Sequence, residues 1–165
     1  MEPVDDLTQV TNEANCVTAP LPLTFEQLDQ PFGFVLYTKK LNTCGKKLEI
    51  KQFKDFAYVT LNKNRVGTLV NSYNGKSVHS LNLHGCKQGD ELGILVENQG
   101  RQTYETINDF KGILSEVELD GKPLHDWKQC KLSIIHDYAN ISRLPANVVS
   151  LFFPTLPPLK PKSIY

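Results

Sequence analysis

The sequence predicts an all-β protein, a two-sheet antiparallel sandwich of the jelly-roll kind. Three observations predict it. Short stretches rich in β-branched and aromatic residues alternate polar with apolar, so each buries one face and wets the other. Asn- and Gly-containing turns separate them at close intervals. No segment carries a helical period. About eight such strands can be read off the chain, a number that suits a jelly roll and limits exposed sheet edges.

Taken in order, residues 1–22 lack periodicity and end at Pro20 and Pro22, so they read as a flexible lead-in. Residues 24–29 (TFEQLD) open with a capping Thr and predict one helical turn. The β signal then begins with GFVLYTKKL (33–41) and KKLEIKQF (46–53). DFAYVTLN (55–62) turns at Asn62-Lys63-Asn64 into RVGTLV (65–70); Asn tolerates left-handed geometry, so a hairpin is expected. Asn74-Gly75 marks a further turn. KSVHSLNLHG (76–85) alternates, with Val78, Leu81 and Leu83 expected in the core. ELGILVEN (91–98) is the most apolar strand. FKGILSEVELDG (110–121) turns Ile113, Val117 and Leu119 inward, and PLHDWKQCKLSI (123–134) completes the set. The strands thus place one sandwich domain at residues 23–135. Residues 136–165 change character: four of the ten prolines fall in NVVSLFFPTLPPLKPKSIY (147–165), which reads as an extended linker leading toward a second β-domain.

Composition narrows the function. The chain has 165 residues, room for one domain and a real core. Lys plus Arg and Asp plus Glu both total 18, and this balance argues against nucleic acid or an anionic membrane as partner. No apolar stretch approaches the roughly 20 residues that span a bilayer. The N-terminus is acidic and polar, unlike a signal peptide. Cys16, Cys44, Cys86 and Cys130 form no CxxC pair. They read as buried thiols, or as one or two disulfides if the chain is exported. His79, His84 and Cys86 lack zinc-site spacing, so no metal and no cofactor is expected. Asn140-Ile141-Ser142 is a glycosylation sequon, and Asn42-Thr43-Cys44 a poor variant of one.

The stretch GILVENQGRQTYETINDFKGI (93–113) is the densest in chemistry. Glu97 and Asp109 are carboxylates at strand ends, but nothing supplies a sugar-gripping pocket beside them. They are expected to pair with Arg101 and bond the loop backbone, a completed network rather than a catalytic pair. Asn98 belongs to the same loop. Asn108 and Asp109 carry short side chains suited to capping a turn. Gly100 and Gly112 are expected to serve backbone geometry. Trp127, the single Trp, alternates with Leu124 and Leu132 and is expected in the core or at a domain interface.

The same stretch resembles a block of the family 35 β-galactosidases, LVEN-x-GR-x-NYG followed by INDFKGI and a strand ending in Trp. Leu95, Val96, Glu97, Asn98, Gly100, Arg101 and Tyr104 match, then Ile107 through Ile113, then Trp127. GFVLYTKKL is similar to the family's GFVLYRT strand, and DFAYVTLNKNRVGTL to its HDRAYVFVNG-x-x-x-GTL hairpin. The resemblance covers about residues 23–134. Departures occur at Lys54-Asp55-Phe56-Ala57, where the family has HDRA, at Asn62-Lys63, and at Thr103-Tyr104-Glu105. The resemblance implies a galactose-binding-domain-like jelly roll that follows a TIM barrel. In such enzymes the barrel carries two catalytic Glu, set about 5 Å apart for retaining hydrolysis of terminal β-D-galactose. A barrel takes about 250 residues, so this chain holds neither it nor a catalytic residue. The implied partners are the barrel and, through Tyr104 and Arg101, β-galactosides at the mouth of its pocket; the alternative is packing against the barrel. Free-standing sugar binding, through Tyr104, Tyr73 or Phe56, and a ligand-free remnant with an apolar patch near Phe110 and Trp127 are the other readings. The family is lysosomal or secreted; this chain's own compartment is not set by its sequence.

Overall fold

The computed structural model describes residues 11–72, 75–102, 104 and 108–132. Twelve strands run β1 (Cys16–Ala19), β2 (Gly33–Lys40), β3 (Lys47–Ile50), β4 (Phe53–Lys54), β5 (Phe56–Leu61), β6 (Asn64–Val70), β7 (Ser80–Asn82), β8 (Glu91–Asn98), β9 (Gly112–Ile113), β10 (Val117–Leu119), β11 (Lys122–Pro123) and β12 (Trp127–Leu132). They form an antiparallel sandwich. One sheet has the order β1-β12-β2-β8-β5-β6, the facing one β11-β10-β3-β7, and β4 and β9 pair at one end. The chain crosses between the two main sheets repeatedly, from β2 to β3, back to β5, over to β7, back to β8, over to β10 and back to β12.

The core lies between the sheets because period-2 alternation sends Val35, Tyr37, Val59, Ile94 and Val96 from one and Leu48, Ile50, Val117 and Leu119 from the other into the same layer. Trp127 is fully buried there, and its Nε1 donates to the Leu124 carbonyl at 2.9 Å, so the core alternative holds for it. A smaller apolar cluster of Leu36, Tyr58, Leu95 and Leu132 occupies the opposite face of the six-stranded sheet.

The expected turn at 24–29 forms. Gln27 N–H donates to Thr24 Oγ1 at 3.2 Å and Thr24 N–H to Gln27 Oε1 at 2.9 Å, a reciprocal cap that leaves Phe25 and Leu28 facing the core. The hairpin between β5 and β6 has a two-residue loop, Asn62-Lys63, with φ of 49° and 70°, the left-handed pair that suits the twist of the strands.

Several readings are corrected. Residues 16–19 of the expected lead-in form β1, whose Cys16 faces Cys130 across the sheet in disulfide linkage. Cys44 and Cys86 are also joined, so all four cysteines are paired and none is a buried free thiol. Val78 is 39% exposed rather than in the core. It lies an odd number of residues from Leu81 and Leu83, so a strand that turns those two inward turns Val78 outward. The expected strands 46–53 and 110–121 each split in two, at exposed Lys51-Gln52 and at Leu114-Ser115-Glu116. The break is tied down by Leu114 N–H to Gln52 O at 2.9 Å and Gln52 N–H to Ser115 Oγ at 3.0 Å. The patch expected near Phe110 and Trp127 reduces to Phe110, 49% exposed, because Trp127 is covered. The proline-rich segment 136–165, Asn140 and Tyr73 lie outside the described residues.

Candidate functional site

One end of the sandwich carries a cleft of about 900 Å³ whose lining includes Lys54, Asp55, Phe56, Asn71, Arg101 and Asp109. Three segments build it. The β4–β5 junction supplies Lys54 and Asp55, the end of β8 leads into Gln99-Gly100-Arg101-Gln102, and the chain entering β9 supplies Asp109 and Lys111.

Lys111 is the centre. It lies two residues from Ile113 and so shares that residue's inward phase, and its side chain is only 3% exposed. Its Nζ lies 2.8 Å from both carboxylate oxygens of Asp55 and 3.1 Å from Asp109 Oδ2. Asp109 Oδ1 takes the Lys54 ammonium at 2.6 Å, and Oδ2 accepts the Gln102 N–H at 3.0 Å. Asp55 also accepts the Gln99 N–H at 2.8 Å. Two cations thus face two anions, and the loop after β8 hangs from the carboxylates by its backbone.

Arg101 closes the other side. Its Nη1 pairs with Glu26 and donates to the Asp109 carbonyl at 2.8 Å; its Nη2 donates to the Pro31 carbonyl at 3.1 Å. Glu26 in turn accepts the Lys111 N–H at 3.2 Å. Asn98 donates to Pro31 O at 3.0 Å and accepts from Gly100 N–H at 2.9 Å.

Burial raises the Asp109 carboxyl, but the Lys54 ammonium, the Gln102 amide and Lys111 outweigh it and hold the group well below the usual carboxylate range. Glu26 is likewise shifted up by burial and, more strongly, down by backbone donors and Arg101; the net direction is down. Burial, then the neighbouring Glu97 charge, pushes Tyr58 up to about 12.

The predicted residues therefore divide. Arg101 and Asp109 meet, through the Asp109 carbonyl rather than its carboxylate. Glu97 stands apart, accepting from Tyr58 Oη at 3.2 Å on the sheet's outer face. Asn108 is exposed, and Tyr104 is 83% exposed. Trp127 belongs to the core rather than the loop. Gly112 has φ of 99°, and a Cβ there would lie 2.7 Å from Tyr37 Oη. Gly100, at φ 114°, has open space around it and answers to backbone conformation alone.

Sequence reasoning missed Glu26, Lys54, Asp55 and Lys111. Only Lys111 carried a local signal, an odd-numbered polar residue in phase with Ile113; Glu26 lies 75 residues from its partner Arg101. Cys86 is bonded to Cys44, while the His79 ring packs edge-on to Phe53 at 5.5 Å. Among the described residues, no three His, Cys, Asp or Glu converge as metal ligands, and no helix is long and apolar enough to cross a membrane.

A fold of this kind defines an antiparallel β-sandwich that carries a cleft lined by paired ionic groups at one end. Comparison with known proteins gives the family. The family described as "Beta-galactosidase, first all-beta domain" matches residues 22–133. The chain is 38% identical over 133 residues to a β-galactosidase of Felis catus, covering 77% of the chain and 19% of that protein. It is 36% identical over 134 residues to a β-galactosidase of Bos taurus (78% and 20%) and 37% identical over 134 residues to β-galactosidase 17 of Arabidopsis thaliana (74% and 19%). The chain belongs to the family of β-galactosidase first all-β domains, and it spans about one-fifth of the length of these relatives.

Proposed function

We propose that this chain is the non-catalytic sandwich of an enzyme that hydrolyses terminal β-D-galactose residues. It supports a TIM-barrel catalytic domain and turns over no substrate by itself. The sandwich runs from β1 at Cys16 to β12 at Leu132, and residues 136–165 are read as a linker. The observation that carries the reading is the occupancy of the acids at the site. Glycoside hydrolysis needs two carboxyls flanking an open position for the scissile bond. Here both oxygens of Asp109 are held by ammonium and amide donors, Asp55 is held by Lys111 and Gln99, and Glu97 accepts from Tyr58. Each acid has a structural partner, and the kinship to β-galactosidases of which the matched stretch is 19% supports a reaction carried by another domain.

In this reading the ionic cluster fixes the loop after β8, and the loop presents Tyr104. An exposed phenol three residues from the pinned Arg101 is suited to line the mouth of a galactose pocket from outside the barrel. Hydrolysis of a chromogenic β-galactoside by the purified chain would refute the non-catalytic assignment. In an enzyme that contains both domains, Tyr104→Ala raises KM for the galactoside; unchanged kinetics would return Tyr104 to an interface or surface role.

A second reading, a free-standing sugar-binding module, is favoured by the cleft itself, whose lining includes Phe56, Asn71 and Gln99. Titration with galactose under NMR separates the two: shifts confined to the cleft residues support binding, and unchanged spectra support the accessory role.

A further inference from the structure

β1 is an unusual edge strand, because it gives the core nothing. Its four residues run half-buried, exposed, exposed, half-buried, and Val17 is 46% exposed. Three things hold it: pairing with β12 from Cys16↔Cys130 to Ala19↔Trp127, the surface ion pair of Lys128 with Glu13, and the Cys16–Cys130 bond. The chain just beyond β1 is fixed separately. Gln129 Oε1 accepts the Leu23 N–H at 2.6 Å, Gln129 Nε2 donates to Leu21 O at 3.2 Å, and Asp126 N–H donates to Pro20 O at 2.9 Å. β12 is independently secured on its other flank by β2, from Lys128↔Thr38 to Leu132↔Phe34, and by buried Trp127. A detachment would therefore stop at Pro20 and leave the sandwich standing.

We propose that the Cys16–Cys130 disulfide is a redox-operated clip: a thiol reductant releases β1 and uncovers the edge of β12. Cys16 is half-buried while Cys130 is 3% exposed, so an attacking thiolate reaches Cys16 first. It forms a mixed disulfide and expels the Cys130 thiolate. A second thiol of the reductant then displaces Cys16. Two electrons and two protons pass to the cysteine pair, and the reductant leaves as its own disulfide. What remains of β1 is a short, solvent-wetted pairing at the low end of local stability. Its loss leaves the unpaired N–H and C=O groups of β12 facing solvent.

The test is hydrogen exchange on the whole chain, oxidised and in dithiothreitol, read peptide by peptide by mass spectrometry. The Cys16→Ser/Cys130→Ser variant opens this bond alone, and Cys44→Ser/Cys86→Ser opens the other. Reduced wild type and the Cys16/Cys130 variant lose protection at residues 12–19 and along β12, while β2 and β8 stay protected. The Cys44/Cys86 variant keeps β1 protected. Two results overturn the proposal: β1 and β12 remaining protected once the bond is gone, or protection collapsing across β2 and β8 as well. The first would mean pairing alone holds the strand, and the second that the bond holds the whole sandwich.

Discussion

Lys111→Met is the most informative perturbation of the ionic cluster. The substitution keeps the length and apolar stem of the side chain and removes an ammonium that is 3% exposed. That ammonium faces Asp55 at 2.8 Å and Asp109 at 3.1 Å. Removing one partner of a buried pair costs about 3–5 kcal/mol, because the remaining charge is left without its counter-ion. Here the loss belongs at the lower end, about 3 kcal/mol, since Asp109 keeps Lys54 at 2.6 Å and Asp55 keeps the Gln99 amide. Urea unfolding followed by the emission of Trp127, the only Trp, reads the change as a fall in midpoint at constant slope. Adding Asp55→Asn to Lys111→Met recovers part of the loss, because an uncompensated carboxylate is then absent. A midpoint shift worth less than about 0.5 kcal/mol, the range of an ordinary surface substitution, would refute the claim that Lys111 anchors the loop.

Other outcomes follow from the same geometry. Asp109 is held below its unfolded value, so its stabilisation is complete above the normal carboxylate range and drains away as pH falls through about 4 and below. Asp109→Asn flattens that acid limb, measured as unfolding free energy against pH; an unchanged slope would contradict it. Gly112→Ala places a Cβ 2.7 Å from Tyr37 Oη and 3.3 Å from the Phe25 backbone N at φ 99°, and lowers stability by about 2–4 kcal/mol in thermal unfolding. Tyr37→Phe does not rescue it, because the backbone conformation is unaffected. Cys44→Ser/Cys86→Ser frees a loop with a sequence separation of 42 and lowers stability by up to about 4 kcal/mol on the chain-entropy account.

Which parts were legible in the sequence has a physical pattern. β8 was read at its observed bounds, 91–98, because five consecutive buried residues leave a strong local signal. The β5–β6 turn was readable because left-handed geometry selects particular residues, and Asn62 is one of them. β1 was invisible. CVTA has little pattern, and its reason for being a strand lies at Cys130, 114 residues away. Val78 misleads because apolarity alone does not set the face of a strand, and its parity is opposite to that of Leu81. In the site, Arg101 and Asp109 stand out from local composition, but the partners that complete the network come from β4, the β4–β5 junction and the 24–29 turn. Ion pairs across such separations leave no periodic trace, so Glu26, Lys54 and Asp55 could be named only once the fold had brought them together.

The proposed role makes this sandwich one domain of a longer β-galactosidase. Intact mass and immunoblot of the native polypeptide that carries the sequence test it most directly. The expected product is several times 18.6 kDa. A native product of 18.6 kDa would contradict it, because the sandwich would then stand without a barrel to support.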